Sequence, residues 1–547
     1  MGLVKEKLNT QKLRGGYYTP KAIAEFLSKW AITKDTQRIL EPSCGDGNFI
    51  EAAILRFKEL GIDGNELKGR IKGIELIEEE SLKAKHRVIE LSVNSTTIVN
   101  SDFFQYLKPN GVDRYDVVLG NPPFIRYQSF PEEHRKLAIS MMEGLGLHPN
   151  RLTNIWVPFL VVSASLLNPD GKLAMVIPVE LFQVKYAAET RVFLSKFFDR
   201  ITIITFKKLV FEGIQQEVVL LLCEKKVSQN KGIRVIECDN LEDLDSIDFR
   251  IINGSNVKTI NHSTEKWTKY FLSEEEINLL RRLKNDERVL SCSDLMDVDV
   301  GLVTGRNVFF MMKESQVNKW NLEKHIIPVV SKSNQLKGIT FSDRDFKINS
   351  QAQQSVHLFI PPNKDFEELP EECQKYIKYG ESQNFHTGYK CGIRKRWYIT
   401  PSLWSPDGFA LRQIGDYPKI VVNESGASST DTVHRVRFKE GVDKQLAALS
   451  FLNSLSFAFS EITGRSYGGG VMTFEPTEIE EIRIPVLKNI SVDFEEIDQL
   501  LRQREIIKVL DIIDKELLIK QHKFSKKEVV AMRMIWKKLS RRRMERK

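Results

Sequence analysis

The chain has few cysteines and no apolar segment long enough to suggest a membrane or secreted protein. Its six cysteines include no Cys-x-x-Cys pair, so neither a disulfide framework nor a zinc ribbon is predicted, and a reducing cytosol fits best. The N-terminal sequence MGLVKEKLNT lacks the apolar region of a secretory signal. The longest uncharged stretch, residues 152–169, is interrupted by polar residues and proline. We expect a soluble, cytoplasmic protein without a membrane span or a metal site.

The composition is that of a globular protein with more than one domain. The chain has 547 residues, 41% of them hydrophobic and 28% charged, which predicts two or three domains. Its net charge of +8 is concentrated at one end, because residues 520–547 hold twelve Lys/Arg against Glu528 and Glu545, and the rest holds 69 against 71 Asp/Glu. A basic run of this kind favours a polyanion such as nucleic acid. A solvated helix end is the alternative.

The first 226 residues alternate strand-like apolar runs with helical patterns. Strands are predicted at residues 37–41, 71–76, 97–99, 116–119, 172–177, 201–206 and 218–223. Continuous Val/Ile/Leu strands separated by helices predict an α/β fold with a doubly wound, Rossmann-like parallel sheet. Only residues 207–217, with no helical pattern, separate the last two strands, so the final strand is predicted to be antiparallel.

The remainder of the chain has a different texture. Residues 227–290 are polar and are interpreted as a connector. Residues 291–490 are rich in turns around short strands, which predicts a mixed α+β domain. Residues 491–547 are predicted to be a C-terminal helical segment with a basic tail, because apolar residues follow helical spacing over 493–523.

Three successive predicted strands end in residues suited to a nucleoside. The first leads into a glycine-containing turn before a helix, and such crevices bind nucleotides in open α/β sheets. A carboxylate at the second strand end suits a ribose diol, and a carboxylate and a ring at the third suit adenine. The candidate residues are Glu41, Pro42, Ser43, Cys44, Gly45, Glu75, Asp102 and Phe103. No GxxxxGK motif is present, so S-adenosylmethionine is predicted, with an ordinary tight turn as the alternative for the first segment.

The fourth strand is followed by Asn121-Pro122-Pro123-Phe124. An exocyclic amine on an aromatic base is a poor nucleophile because its lone pair is delocalised into the ring. The Asn121 side-chain oxygen and the Pro122 carbonyl are predicted to accept its two hydrogens, while Phe124 stacks on the base. An ordinary proline-rich turn is the alternative.

In this order the motifs resemble those of the γ-class N6-adenine DNA methyltransferases of the TaqI and Eco57I type. Residues 14–20, Arg-Gly-Gly-Tyr-Tyr-Thr-Pro, resemble the motif that precedes the first strand in this family, and the resemblance implies that Thr19 contacts the methionine part of the cofactor. It also implies cofactor contact by Pro123. Residues 210–213, Val-Phe-Glu-Gly, resemble the place of a second aromatic against the flipped base. Phe211 is assigned there, with Phe206 as a nearby alternative.

The resemblance implies a class I methyltransferase fold followed by a target-recognition domain. The implied reaction moves a methyl group from S-adenosylmethionine to N6 of an adenine flipped out of double-stranded DNA, without a covalent enzyme intermediate. Cys44 has no apparent activating base in the sequence and is interpreted as a small residue of the cofactor turn.

Candidate DNA contacts lie in the C-terminal half. Residues 389–398 interleave four cations with aromatics, and residues 464–471 form a glycine-rich segment. Contacts to DNA are predicted at Lys390, Arg394, Lys395, Arg396 and Arg465. A solvated basic turn and a plain hairpin are the alternatives.

The short segments outside these regions leave no room for a fused nuclease, so we expect a methylase without cleavage activity, acting alone or with a separately encoded restriction endonuclease. We also expect a monomer. It would associate with the nucleoid when bound to DNA. Methylation of RNA adenine or of a protein glutamine, and a non-catalytic DNA-specificity subunit, are the alternatives.

Overall fold

The computed structural model describes residues 19–107, 113–125, 130–150, 152–208, 210–211, 217–254, 257–467 and 469–545. The chain divides into two compact units. The first holds the residues up to Ser273 with short pieces at 467–469 and at Glu545, and the second holds Glu274–Ser466 and Gly470–Met544. In the described ranges no single helix is long and apolar enough to cross a membrane, although the pair Lys444–Phe451 and Ser454–Thr463, bent by 74°, reaches that length together.

The first unit is an α/β structure. Its strands are β1 (Ile39–Glu41), β2 (Ile71–Glu75), β3 (Ile98–Asn100), β4 (Tyr115–Gly120), β5 (Leu167–Pro178), β6 (Arg200–Phe206), β7 (Val218–Glu224) and β8 (Gly232–Cys238). Its helices are α1 (Lys21–Ala31), α2 (Asn48–Glu59), α3 (Glu78–Glu90), α4 (Phe103–Leu107), α5 (Glu132–Gly144), α6 (Trp156–Ser165), α7 (Glu180–Gln183), α8 (Ala188–Phe197) and α9 (Phe249–Asn253).

All eight strands form one sheet with the order β3-β2-β1-β4-β5-β7-β6-β8. Strands β1 to β5 pair in parallel, and β7 is antiparallel to both of its neighbours. The predicted doubly wound sheet is confirmed, and so is the antiparallel direction of β7, which forms a hairpin with β6. Strand β8 pairs in parallel with β6, so Gly232–Cys238, assigned to the connector from sequence, is instead part of the sheet. The domain boundaries themselves stay a prediction.

Burial on both faces explains the continuous apolar runs of the central strands. Successive side chains of a strand point to opposite faces. Val117 and Leu119 belong to the cluster that includes residues of α1, α2 and α3, whereas Val118 belongs to the cluster that includes α5 and α6. Because helices cover both faces, successive buried positions of such a strand are apolar rather than alternating with polar ones. The carboxyl ends of β1 to β4 therefore meet at one rigid edge of the sheet.

The second unit is a mixed α+β structure. Its strands are β9 (Val289–Ser291), β10 (Met296–Asp299), β11 (Met311–Met312), β12 (Ile326–Val330), β13 (Thr340–Phe341), β14 (His357–Phe359), β15 (Gly408–Leu411), β16 (Gln413–Ile414), β17 (Ile420–Asn423), β18 (Ser428–Ser429), β19 (Val433–Phe438), β20 (Arg465–Tyr467), β21 (Val471–Thr473) and β22 (Arg483–Pro485). Its helices are α10 (Glu274–Lys284), α11 (Asn307–Phe310), α12 (Glu314–Trp320), α13 (Asp343–Gln351), α14 (Glu371–Ser382), α15 (Tyr389–Gly392), α16 (Lys444–Phe451), α17 (Ser454–Thr463), α18 (Pro476–Glu480), α19 (Phe494–Arg502), α20 (Ile506–Ile513) and α21 (Lys526–Met544).

The strands of this unit form four small sheets. Their orders are β10-β19-β15-β17-β13, β11-β14-β12-β18, β16-β21-β20 and β22-β9. The helices predicted at 493–523 are present as α19, α20 and a following π-helical turn, Asp514–Gln521. Their apolar residues pack with α16 and with Trp536 of α21.

The C-terminal basic segment is a packed helix rather than a free tail. Val529, Met532, Trp536 and Leu539 of α21 are buried. Two of its arginines lie in internal ion pairs, Arg533 with Asp511 and Asp514 and Arg543 with Glu461. These two arginines have partners within the fold, whereas Lys526, Lys527 and Arg541 are exposed, and binding of a polyanion by this segment stays a prediction.

Candidate functional site

The turn between β1 and α2 is held by its glycines. Gly47 has φ +91°, and a Cβ there would lie 3.1 Å from the Ala84 Cβ and 3.2 Å from its Cα in α3. Only glycine adopts this left-handed conformation against a neighbouring backbone without strain. The Cys44 amide donates to the Ile74 carbonyl at 2.9 Å, which joins the turn to β2. The turn therefore has one conformation, set by the two elements beside it.

Glu75, at the end of β2, is oriented by two backbone amides. Gly45 N–H donates to Oε2 at 2.8 Å and Ile77 N–H donates to Oε1 at 2.8 Å. Burial raises the pKa of Glu75, and these two hydrogen bonds act in the opposite direction. Each carboxylate oxygen has two lone pairs, so the group can still accept from a ligand.

Asp102, beyond β3, is oriented by α4 and by a histidine from α5. Gln105 N–H donates to Oδ1 at 2.9 Å, and His134 Nδ1 lies 3.4 Å from Oδ2. Burial raises the pKa of Asp102, whereas the Gln105 amide and His134 act to lower it. The ring of the adjacent Phe103 stacks on Phe159 with 5.4 Å between the centroids.

Glu41 and Cys44 lie in the same acidic surroundings. Burial, together with the Asp46 and Glu75 carboxylates, raises the pKa of Glu41 well above its ordinary value. Its Oε2 is buried and has no hydrogen-bond partner among the residues that the structure describes. Burial and the negative charges of Glu41 and Glu75 raise the pKa of the Cys44 thiol well above its ordinary value. A thiol kept protonated in this way is a poor nucleophile.

The Asn121 amide is oriented by the segment before α1. Its Nδ2 donates to the Thr19 hydroxyl at 3.1 Å, and the Ser43 hydroxyl donates to the Asn121 backbone oxygen at 3.4 Å. Asn48 Nδ2 in turn donates to the Thr19 backbone oxygen at 3.3 Å. Since Nδ2 is directed at Thr19, the side-chain oxygen points the other way.

All of the predicted cofactor residues, together with Asn121, line one cavity. Those brought together there are Thr19, Glu41, Pro42, Ser43, Cys44, Gly45, Glu75, Asp102, Phe103, Asn121 and Pro123. Pro122 follows directly in the chain, and Phe124 is half-buried against the apolar clusters on both faces of the sheet. Phe211 and Phe206 are both buried in the α1–α3 cluster. Residues 14–18 and 212–213 of the predicted motifs lie outside the described residues.

Several cavity residues were not assigned from sequence. They are Asp46, Asn48, Phe49, Leu76, Ile77, Glu80, Ser101, Ile125, Phe130 and Phe159. Asp46, Asn48 and Phe49 follow directly after the predicted cofactor turn, so their position along the chain could have indicated that they line the cavity. Phe130, Phe159 and the nearby His134 come from α5, α6 and the segment before them, and nothing local in the sequence marks them.

The cations of the second unit that are predicted to contact DNA differ in their exposure and in their contacts within the protein. Lys390 and Lys395 are exposed. Arg394 donates from Nη2 to the Val303 carbonyl at 2.9 Å, and Arg396 pairs with Asp365 at 2.8 Å. Arg465 pairs with Glu478 at 2.9 Å.

Comparison with protein families assigns both halves of the chain. The model described as N-6 DNA Methylase matches residues 3–292, slightly more than half of the chain. The model described as the C-terminal domain of the type II methyltransferase M.Eco57I matches residues 264–518.

Individual relatives agree with these matches. The type II methyltransferase M.AccI of Acinetobacter calcoaceticus is 24% identical over 499 residues, covering 87% of this chain and 86% of its own. M.HindII of Haemophilus influenzae is 23% identical over 345 residues, or 60% of each chain. Among solved structures, the type IIL restriction-modification enzyme MmeI in complex with DNA superposes with a TM-score of 0.56 at 14% identity, covering 95% of this chain and 75% of its own.

The MmeI superposition supports the fold alone, and it agrees with the predicted methyltransferase sheet followed by a mixed α+β unit and C-terminal helices. The resemblance of the strand-end motifs to N6-adenine DNA methyltransferases is confirmed by the family model that spans them. This chain belongs to the N-6 DNA methylase family.

Proposed function

We propose that this protein transfers a methyl group from S-adenosylmethionine to N6 of an adenine flipped out of duplex DNA. The observation that carries the proposal is that Asn121 of the Asn-Pro-Pro-Phe segment lines the same cavity as Glu75 and Asp102. A group suited to an exocyclic amine thus adjoins groups suited to a nucleoside. A plain proline-rich turn does not explain this convergence.

The cavity has the chemistry that this cofactor requires. Glu75 accepts from the ribose hydroxyls, Asp102 accepts from the adenine amine, and the Phe103 ring packs beside the base. The partnerless Oε2 of Glu41 and the Thr19 backbone, held by Asn48, suit the polar methionine end. No lysine or arginine lines the cavity among the described residues, which suits a nucleoside without phosphates better than a nucleotide.

The cofactor supplies an electrophilic methyl group on a sulfonium. The protein's part is to present N6 of the base in the correct orientation. The Asn121 oxygen and the Pro122 carbonyl accept the two N6 hydrogens and turn the lone pair out of conjugation with the ring. Phe124 and Phe211 stack on the flipped base. Transfer of the methyl group would leave one surplus proton on N6. The Asn121 and Pro122 oxygens accept hydrogen bonds but are too weakly basic to take that proton, which is lost to solvent.

Removal of either nucleoside-binding carboxylate should weaken cofactor binding. We expect Glu75→Ala and Asp102→Ala each to raise the dissociation constant for S-adenosylmethionine about tenfold or more, because a buried donor left unpaired costs about 1–3 kcal/mol. Calorimetric titration measures the effect. Glu90→Ala, at an exposed acid that ends α3, is the matched control. Wild-type affinity in both cavity variants would contradict these assignments.

Cofactor affinity should also fall on acidification, at a higher pH than ordinary carboxyl groups would cause. Burial raises the pKa of both Glu75 and Asp102, so both carboxylates take up a proton at a higher pH than ordinary carboxyl groups do. Protonation removes a charged acceptor, and affinity is therefore lost as the pH falls. Titrations over a pH series of the wild type and of Glu75→Gln measure this. The variant should show a smaller pH dependence, and an identical profile would exclude Glu75 as its source.

Duplex DNA is the proposed macromolecular substrate, and the proposed role is modification, either within a restriction–modification system with a separately encoded endonuclease or alone. The type II methyltransferases among the relatives support that role. Sequencing with modification detection, on DNA from cells that express the protein, tests it. We expect N6-methyladenine at one short sequence motif. Unmodified DNA from cells that contain soluble, cofactor-binding protein would contradict the proposal.

A further inference from the structure

Two segments of the second unit contain basic residues and no acidic ones. Residues 300–313 include Arg306 and Lys313, and residues 382–406 include four cations around α15, with no Asp or Glu in either segment. They are separated by about seventy residues of chain that contain both signs of charge.

The fold packs these two segments against each other. Arg394 Nη2 donates to the Val303 carbonyl at 2.9 Å. Gly305 has φ +83°, and a Cβ there would lie 2.8 Å from the Lys390 Cβ and 3.2 Å from the Cys391 sulfur. Only glycine permits an approach this close in that conformation. The two acid-free segments therefore present one continuous surface.

Large apolar side chains project from this surface. Val308 is 72% exposed, Tyr389 77% and Ile393 65%. Single exposed apolar residues are common on proteins, but three of this size on adjoining turns indicate an interaction site. Arg306, Lys390 and Lys395 are exposed on the same segments. We call these six residues the wedge surface: Arg306, Val308, Tyr389, Lys390, Ile393 and Lys395.

The structure also indicates which cations of the region serve the fold instead. Arg394 is bonded to Val303, and Arg396 donates to Asp365 and Asn363 at 2.9 and 2.8 Å. The nearest acid along the second segment, Glu381, accepts from the Trp397 indole at 3.1 Å. The positive charge of the wedge surface is thus not neutralised by its own segments.

We propose that the wedge surface binds duplex DNA, with its three cations on phosphates and its three apolar side chains inserted between or against base edges. Apolar side chains flanked by cations are the means by which proteins partly unstack and kink a duplex, and a kinked duplex flips a base at lower cost. The inference rests on the proposed function, because DNA is that function's substrate. A protein partner has no need of an acid-free surface, so DNA is the better match by charge.

Fluorescence anisotropy with a fluorescein-labelled, random-sequence DNA duplex tests the proposal on the full chain over a range of salt concentrations. Each lost phosphate contact should reduce the slope of log affinity against log salt by about 0.9. The variant Arg306→Gln/Lys390→Gln/Lys395→Gln should therefore have a slope smaller by two to three such steps. The variant Val308→Ser/Tyr389→Ser/Ile393→Ser should bind about tenfold or more weakly with an unchanged slope, because it loses apolar burial only.

Exposed residues elsewhere in the same unit supply the controls. Ile348→Ser/Ile507→Ser removes side chains that are 47% and 41% exposed on α13 and α20, and Lys508→Gln removes a surface cation paired with Glu505. Both should bind DNA like the wild type. Unchanged affinity and slope in both wedge-surface variants would overturn the proposal and leave the surface to a protein partner.

Methyl transfer by the wild type, measured in parallel, separates this outcome from failure of the proposed function. If the wild type methylates adenine while both wedge-surface variants bind DNA normally, the wedge surface alone is wrong. If the wild type transfers no methyl group to DNA, the proposed function is wrong, and the salt slopes still decide whether the wedge surface binds the duplex.

Discussion

Replacement of Asn121 by alanine should reduce methyl transfer to DNA on the order of 10³-fold while leaving cofactor and DNA affinities close to those of the wild type. The side chain is proposed to accept an N6 hydrogen only when the base is in place. Losing an interaction that is made in the transition state lowers the catalytic rate rather than binding. Single-turnover transfer of labelled methyl groups, with separate binding titrations, measures both effects.

The orientation of the Asn121 amide leads to a second prediction, in which a milder substitution causes a smaller loss of rate. Asn121 Nδ2 donates to the Thr19 hydroxyl, so Thr19→Val should loosen the amide without deleting it. Its rate loss should be smaller than that of Asn121→Ala. Phe124→Tyr is the matched control in the same loop, because it keeps the stacking ring, and it should stay active. Wild-type rates in Asn121→Ala would remove the amide from the mechanism.

Replacement of Arg543 by alanine should destabilise the second unit by about 3–5 kcal/mol, the cost of breaking a buried ion pair from one side. The Arg543 and Glu461 side chains are each only 2% exposed and lie 2.8 Å apart. Arg543 also donates to the carbonyls of Gly415 and Gly470 at 2.6 and 2.5 Å. The alanine variant leaves the Glu461 carboxylate buried without its partner.

Scanning calorimetry of the full chain measures this loss as a lower unfolding temperature for the second unit. Lys527→Ala, at an exposed cation of the same helix, is the matched control and should unfold like the wild type. The double variant Arg543→Leu/Glu461→Met should recover much of the loss, since it buries no charge. An Arg543→Ala protein as stable as the wild type would mean that the pair contributes nothing to stability.

The catalytic unit was predictable because its signals are local. Each predicted strand is a short segment rich in Val, Ile or Leu, and the carboxyl ends of neighbouring parallel strands must meet at one edge. That rule places Glu41, Glu75, Asp102 and Asn121 together without knowledge of any tertiary contact. Strand β8 was not predicted. It lies at the edge of the sheet beside β6, where several of its residues are partly exposed, and its sequence therefore resembles that of a polar connector.

Contacts made across long stretches of chain were not predictable. His134 approaches Asp102 from a helix that carries no motif. Arg394 and Arg396 lie in a basic segment without acids, and their partners, the Val303 carbonyl and Asp365, lie thirty to ninety residues earlier in the chain. Cation content alone therefore could not show which of these side chains already have a partner within the fold.

In the C-terminal helix the sequence does contain the apolar spacing of a packed helix. Val529, Met532, Trp536, Leu539 and Arg543 recur at helical spacing on one face, which indicates a packed helix. The many basic residues of the same segment favoured the interpretation as a basic tail instead.

Tritiated methyl transfer followed by nucleoside analysis distinguishes methylation of adenine N6 in duplex DNA from the alternative reactions. Purified protein is incubated with methyl-labelled S-adenosylmethionine and duplex DNA, RNA or protein in turn, and the DNA is digested to nucleosides. We expect label in N6-methyladenine from duplex DNA, and little label with Asn121→Ala. Label in N4-methylcytosine, in RNA or in protein, with none in N6-methyladenine, would contradict the proposed reaction.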